Sequence, residues 1–558
     1  MGRAPRVRAL MALVALFGVV VVPPVVSASD SGAGDDAPWT PLPKARCRPG
    51  DPVETGLQGQ VPMADRQSGR AAQGYACNLR LVGRYPSNGF ASFDTYGDCG
   101  YYSDNPGVVG TMQDSGTIVL DLRDPAHPVK TDYLTARAMR DNGESLRVNA
   151  RRGLLVADHY GNGHGDRQGN GSAYPWLAVY DVSADCRHPK LLADVAMPHG
   201  RGHEGWFAPD GMTYYMSNYG SRRVVPIDLS DPTQPKELAV WPYAVHGGSV
   251  SEDGRRAYLA AMKPGPTELL VVDTSDVGPG LANAGRVISR LPLPDTNANQ
   301  NAYELDYGGH PYVISFGELP AFPHAPCSVP RNQNFDAPRM VDMADETHPR
   351  IVARFLNEVD DPANCETVIG DVQTTTRGAD RADPTWSVVA PSLFQYDDHY
   401  CTPDRLHDPT ILACAQIMSG LRVYDIRDPL HPKEIAYDNP GTLGPSDQTV
   451  DWALARPVIR RDLGQIWFVT TFGGFHAVEF ENGLWPFPDA PACGPGDDYW
   501  QAQYDPGYAA CRAQPGHLPR PRQPLTPRSG GDVGQVLVDG ADGGRTLPDG
   551  RGDPLHRP

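Results

Sequence analysis

The chain has 558 residues, with 49 basic and 67 acidic side chains and a formal charge of −18. That acidic balance argues against nucleic acid and anionic lipid as partners, because both repel a negative surface. With 59 glycines and 56 prolines the chain must turn often, and long amphipathic helices are hard to find, so the composition points to an all-β protein.

The first 28 residues read as an export signal. Arg3, Arg6 and Arg8 form a basic start, Ala9 to Val22 an apolar run, and Val26-Ser27-Ala28 the small residues a signal peptidase needs. The run is shorter than a spanning helix and is broken by Pro23-Pro24, so no membrane span is expected after cleavage. Cleavage would remove three arginines and no acids, making the secreted chain more acidic still. Export also gives meaning to the ten cysteines, an even number in a compartment where disulfides persist. None forms a Cys-x-x-Cys pair, which argues against a zinc ribbon or a thioredoxin-type site. Cys401 with Cys414, Cys327 with Cys365, and Cys493 with Cys511 are the candidate local pairs. Partners for Cys47, Cys77, Cys99 and Cys186 stay open.

Residues 29–75 form a Gly/Pro/Asp-rich extension that should wrap the surface, and a repeat fills residues 76–480. In each copy an apolar strand ends in Asp, and a turn with a second Asp leads into the next strand. The copies are Ile118-Val-Leu-Asp-Leu-Arg-Asp-Pro-Ala-His-Pro128, the stretches 178–189, 225–235, 270–276 and 340–349, and Val423-Tyr-Asp-Ile-Arg-Asp-Pro-Leu-His-Pro432. Asp can bond the backbone two residues on, and the Pro after it pre-sets the next φ angle. The last Pro cannot donate to a ladder, so the strand it opens should lie on an outer edge. The fourth copy, with Val277-Gly-Pro after its Asp, departs from the pattern.

A hairpin precedes each copy, as in Phe207-Ala-Pro-Asp-Gly211 and Val250-Ser-Glu-Asp-Gly254. Each repeat is therefore four antiparallel strands, the unit of a β-propeller blade. A seventh third-strand, Gly474–Phe480, has nothing like an outer strand after it, whereas Cys77–Tyr85 looks like an outer strand with no blade before it. A ring of seven blades closed by this N-terminal strand follows, with six and eight blades as the rival counts. The repeat resembles the LVIVD family of extracellular bacterial and archaeal proteins. That resemblance implies a propeller and brings no catalytic residues with it. Beyond the ring, residues 481–518 form a cysteine-containing extension, and residues 519–558 a Pro/Gly/Arg-rich tail expected to be disordered.

Alternating strand direction sorts the loops onto two faces. The Asp-Gly and Asp-Pro turns occupy one, where His127, His188, His348 and His431 read as turn residues. The other receives the long insertions Tyr160–Tyr174 and Pro320–Pro338, and long loops on a rigid scaffold are where binding usually lives. On that same side His203, Glu204, His246 and His399 stand at the starts of innermost strands, where they could converge on the channel mouth. Imidazoles with a carboxylate suit Zn, Cu or Fe, or supply a general base. Glu144, Asp158, His159 and Glu304 are candidates for supporting or binding positions. The oxygen-rich loop 161–171 lacks the order of an EF-hand, leaving calcium a minor option. No nucleophile elbow, P-loop or dinucleotide fingerprint stands in a sensible context. The first reading is a secreted scaffold that binds a protein, glycan or cell-surface component through the long-loop face. The second is a metal-dependent extracellular enzyme, hydrolase or oxidoreductase, at the channel mouth.

Overall fold

A computed structural model describes residues 35–104, 115–159, 175–262, 265–320, 336–371, 395–446, 448–481 and 483–487. The leader, the insertion 160–174, most of 320–338, Cys327, the pair Cys493–Cys511 and the tail 519–558 lie outside the described residues.

Seven antiparallel sheets follow one another along the chain and make a seven-bladed propeller. From the innermost strand outward, blade 1 is built from Phe93–Tyr96, Cys99–Ser103, Thr117–Asp121 and Val129–Leu134. Blades 2 to 6 begin with the inner strands Arg147–Asn149, Glu204–Phe207, Val245–Val250, Thr296–Tyr307 and Tyr400–Pro403. Blade 7 runs Val458–Arg460, Gln465–Thr470 and Gly474–Phe480, and its fourth strand is Leu79–Tyr85. Leu79 pairs with Phe480 and Tyr85 with Phe475. The closing strand expected at Cys77–Tyr85 is thus real but shorter, because Asn78 takes a positive φ and divides the segment. The preceding Tyr75–Cys77 pairs instead with Lys433–Asn439, adding a fifth strand to blade 6 that sequence reading had not foreseen.

The middle strands read as unbroken apolar runs because both their faces are covered by neighbouring blades. In Leu154–Asp158, Leu155 and Ala157 pack toward Tyr101 and Val119 of blade 1. The alternate Leu154 and Val156 pack toward Tyr214 and Met216 of blade 3. The period-2 alternation of a strand therefore sends successive side chains into two different inter-blade cores.

The Asp turns work twice over. The strand-ending Asp121, Asp181, Asp228, Asp273, Asp342 and Asp425 each accept the backbone N–H two residues on, at 2.8–3.1 Å. In five blades the second Asp repeats the bond; Asp124, for example, accepts from Ala126 at 3.1 Å. In blade 4 only the first bond forms, and a longer connection reaches the outer strand Arg286–Pro292. Three of the turn histidines stay local, His127 and His431 meeting the turn Asp three residues back at 2.9 Å and His348 at 3.1 Å, whereas His188 lies 3.6 Å from Asp132 of blade 1.

Three disulfides join described residues. Cys401–Cys414 staples the first two strands of blade 6, Cys99–Cys186 ties blade 1 to the outer turn of blade 2, and Cys47–Cys77 anchors the N-terminal segment. Cys365 is also disulfide-bonded, to a partner outside the described residues. The Cys401–Cys414 loop is short, so a Cys401→Ser/Cys414→Ser variant should lose about 3 kcal/mol in denaturant unfolding. The N-terminal segment lies along blades 5 and 6: Asp36 donates to the Ile351 carbonyl, Leu42 to that of Leu356, and Glu54 pairs with buried Arg422.

On the turn face His407 of blade 6 reaches Glu252 of blade 4 at 2.9 Å and lies 3.7 Å from Asp306 of blade 5. Burial alone would lower its pKa, but the two carboxylates outweigh it and push it up to about 10. A raised histidine pKa stabilises fully below the unfolded value of 6.5 and loses that contribution as pH climbs toward 10. A His407→Gln variant should therefore melt below the parent at pH 6, with the gap closing by pH 10.5 in parallel thermal scans.

Candidate metal centre

Where the inner strands begin, on the face opposite the Asp turns, five side chains from five blades meet. Glu144 precedes the inner strand of blade 2, His203 that of blade 3 and His399 that of blade 6. His246 lies within the inner strand of blade 4, and Glu318 near the end of the second strand of blade 5, His310–Pro320. All five are buried. His203 Nε2 and His246 Nε2 are 2.7 Å apart. Glu144 Oε2 lies 3.3 Å from His246 Nε2 and 3.9 Å from His203 Nε2. His399 Nε2 lies 4.0 Å from Glu144 Oε1 and 3.8 Å from Glu318 Oε1. Two trios, Glu144/His203/His246 and Glu144/Glu318/His399, each bring three donor atoms within 4.8 Å of one another.

Two of the imidazoles are oriented from behind. His246 Nδ1 meets Glu204 Oε2 at 3.2 Å, and His399 Nδ1 meets the Leu454 carbonyl at 2.6 Å. A carbonyl can only accept, so His399 carries a proton on Nδ1 and turns Nε2 toward the carboxylates. The Glu204 carboxylate favours the same tautomer in His246. Fixing a ring through its far nitrogen is how proteins aim a metal-ligating histidine.

Glu204, expected among the ligands, therefore stands one layer further back. Consecutive strand residues point to opposite sides, so His203 and Glu204 cannot both face one point. Glu204 Oε1 accepts from Arg147 at 2.9 Å and from Asn301. Gly247 makes this layer possible: a Cβ there would lie 1.8 Å from Glu204 Oε2. Asp158 supports the neighbourhood rather than the centre, accepting from Tyr214 at 2.9 Å and from the His203 backbone. His159 lies toward Asp141, 3.9 Å away, and Glu304 is displaced to the turn-face end of its strand, where it accepts the Glu252 N–H. Glu304 also lines, with Arg147 and Arg456, a cavity of about 30 Å³ along the channel, room for water but little more.

Burial and neighbouring charge act together on the cluster. Burial pushes the Glu144 carboxyl up, helped by Glu318 and Glu204 and opposed by His246 and His399. Burial would lower His246, yet Glu144, Glu204 and Glu318 together raise it to about 9. His399 is also raised, by Glu318 and Glu144 against burial, while His203 is held well below its usual value by burial and the other two imidazoles. Neighbouring carboxylates thus favour positive charge on two of the imidazoles, against the effect of burial. A divalent cation would supply the same positive charge without protonating them.

Neither protein-family models nor curated proteins match this chain. Among solved structures it is similar to hydrazine synthase of Kuenenia stuttgartiensis, with 12% identity, a TM-score of 0.43, and 71% of this chain and 96% of that one covered. It is also similar to the Cps50 (Swd1) β-propeller domain of Myceliophteria thermophila, with 9% identity, a TM-score of 0.44, and coverage of 72% and 98%. The seven-blade assignment rests on the sheet order and not on these likenesses.

Proposed function

We propose that the chain is an exported, metal-dependent enzyme whose hydrolytic centre sits in the mouth of the propeller channel. The observation that carries this is the meeting of three imidazole Nε2 atoms and two carboxylates on the axis, with two rings aimed by Glu204 and the Leu454 carbonyl. Nitrogen donors in this number favour a first-row transition ion over calcium, which takes oxygen ligands. The set contains no thiolate or thioether, and such an ion makes its bound water a nucleophile at neutral pH. Carboxylates at the same centre can take the proton that this water loses.

The propeller fold is compatible with a binding or scaffold role as well. The strands flanking residues 160–174 and 321–335 end on the face of the histidines, so binding through that face becomes the recognition half of the same reading. Export fits the disulfides, and among the described residues no helix is long and apolar enough to cross a membrane. The six Asp turns keep an LVIVD-like origin as part of the proposal. The test is elemental analysis of the secreted protein after expression with Zn, Cu, Fe and Mn supplied, together with ester-hydrolysis assays on the loaded protein. Stoichiometric metal that disappears in His203→Ala/His246→Ala is expected. A metal-free parent would overturn the reading.

A further inference from the structure

One carboxylate at the centre divides its two oxygens between two groups of histidines. Glu144 presents Oε2 to His246 and His203, and Oε1 to His399. Glu318 stands with the second group: its Oε1 lies 3.8 Å from His399 Nε2, and its Oε2 3.5 Å from His246 Nε2. Glu144 therefore spans two poles, and Glu318 joins the second. One pole holds two imidazoles and the other holds one.

From this we infer that the centre binds two metal ions bridged by Glu144, and the inference rests on the metal-dependent reading above. The first ion takes His203 Nε2, His246 Nε2 and Glu144 Oε2. The second takes His399 Nε2 and the two Oε1 atoms. A single ion would leave half of this arrangement without a purpose. Placed at the first pole it strands His399, whose ring is nevertheless aimed inward by the Leu454 carbonyl. Placed at the second it strands the His203–His246 pair. Two-metal sites hold their ions about 3.5–4 Å apart, a spacing that a carboxylate spans with one oxygen on each.

Gln300 of blade 5 supplies an independent sign. Its side chain is fully buried, with Nε2 2.7 Å from Glu144 Oε2 and 3.4 Å from His399 Nε2. Its Oε1 is buried without a hydrogen-bond donor. An orphaned oxygen on an amide that touches both Glu144 and His399 is a polar group that a bound cation or its water would satisfy. Tyr400, which donates to Glu144 Oε2 at 3.1 Å, holds the bridging carboxylate in place meanwhile.

The experiment is a titration of the chelator-stripped secreted protein with Mn²⁺, read by equilibrium binding and by electron paramagnetic resonance. Two Mn²⁺ per chain and an exchange-coupled spectrum are expected. His399→Ala should bind one Mn²⁺ and give the spectrum of an isolated ion, and Glu144→Gln should remove the coupling. One ion per chain in the parent would overturn the two-ion centre while leaving the metal-dependent reading intact. No ion would overturn both, and two uncoupled ions would overturn the bridging. Because the parent count decides the matter alone, a variant that fails to fold does not protect the inference.

Discussion

A chain lacking Leu79–Tyr85 is expected to lose its cooperative unfolding transition and to aggregate at concentrations where the parent stays monodisperse. Among the described residues this strand is the only outer cover of Gly474–Phe480, so its removal opens the ladder along Phe475–Phe480. The loss goes further, because the strand also packs on the next blade: a Cβ on Gly83 would lie 2.1 Å from the Pro125 carbonyl in the turn of blade 1. The strand therefore joins blade 7 to blade 1 across the seam of the ring. Gly83→Val tests the same joint without shortening the chain and should lower the midpoint of denaturant unfolding clearly. A deletion that keeps both the parental midpoint and the parental slope would refute closure by this segment.

Replacing Glu204 by Ala is expected to cost about 3–5 kcal/mol, the scale for removing one partner of a buried ion pair. Arg147 would remain buried beside Arg456 with its countercharge gone. Glu204→Gln keeps the shape and should be milder in stability, yet it should lower metal affinity about 10–100-fold, as loss of a histidine-orienting carboxylate does. Gly247→Ala keeps the Glu204 charge in the chain but crowds both carboxylate oxygens, so it should displace the carboxylate from His246 Nδ1 at a smaller stability cost than Glu204→Ala. Melting curves give the first quantity and competition with a chelator the second. Unchanged metal affinity in both Glu204→Gln and Gly247→Ala would remove Glu204 from the centre.

The fold was legible because the repeat punctuates itself. Asp121, Asp181 and their counterparts do locally what the turn chemistry says they should, and six turns in phase leave few topologies open. The fifth strand of blade 6 escaped because Tyr75–Cys77 is three residues long, too short for any periodicity to register. At the centre, His203, His246 and His399 could be picked out because inner-strand starts converge on the axis. Glu318 could not. It lies on a second strand, without a neighbouring histidine or turn signal, and the hairpin Thr296–Pro320 that carries it has three register shifts before Asn301. The role of Glu204 was misjudged by reading adjacency in sequence as adjacency in space. The pairs Cys47–Cys77 and Cys99–Cys186 join segments 30 and 87 residues apart, and only the assembled ring brings them together.

The hand-over at Asn78, where the chain leaves blade 6 for blade 7, also sets a timetable. Residues 75–85 are made early in synthesis, but their partners at 433–439 and 474–480 come some 350–400 residues later. Until then the early strands have no edge to join, and Cys77 stays exposed to whichever thiol is nearest. Long-range strand pairing is slow and leaves apolar edges open while it waits. Native Cys47–Cys77 pairing, followed by trapping free thiols during refolding, would then report whether an early covalent loop prepares the closing segment or forms only after the ring has shut.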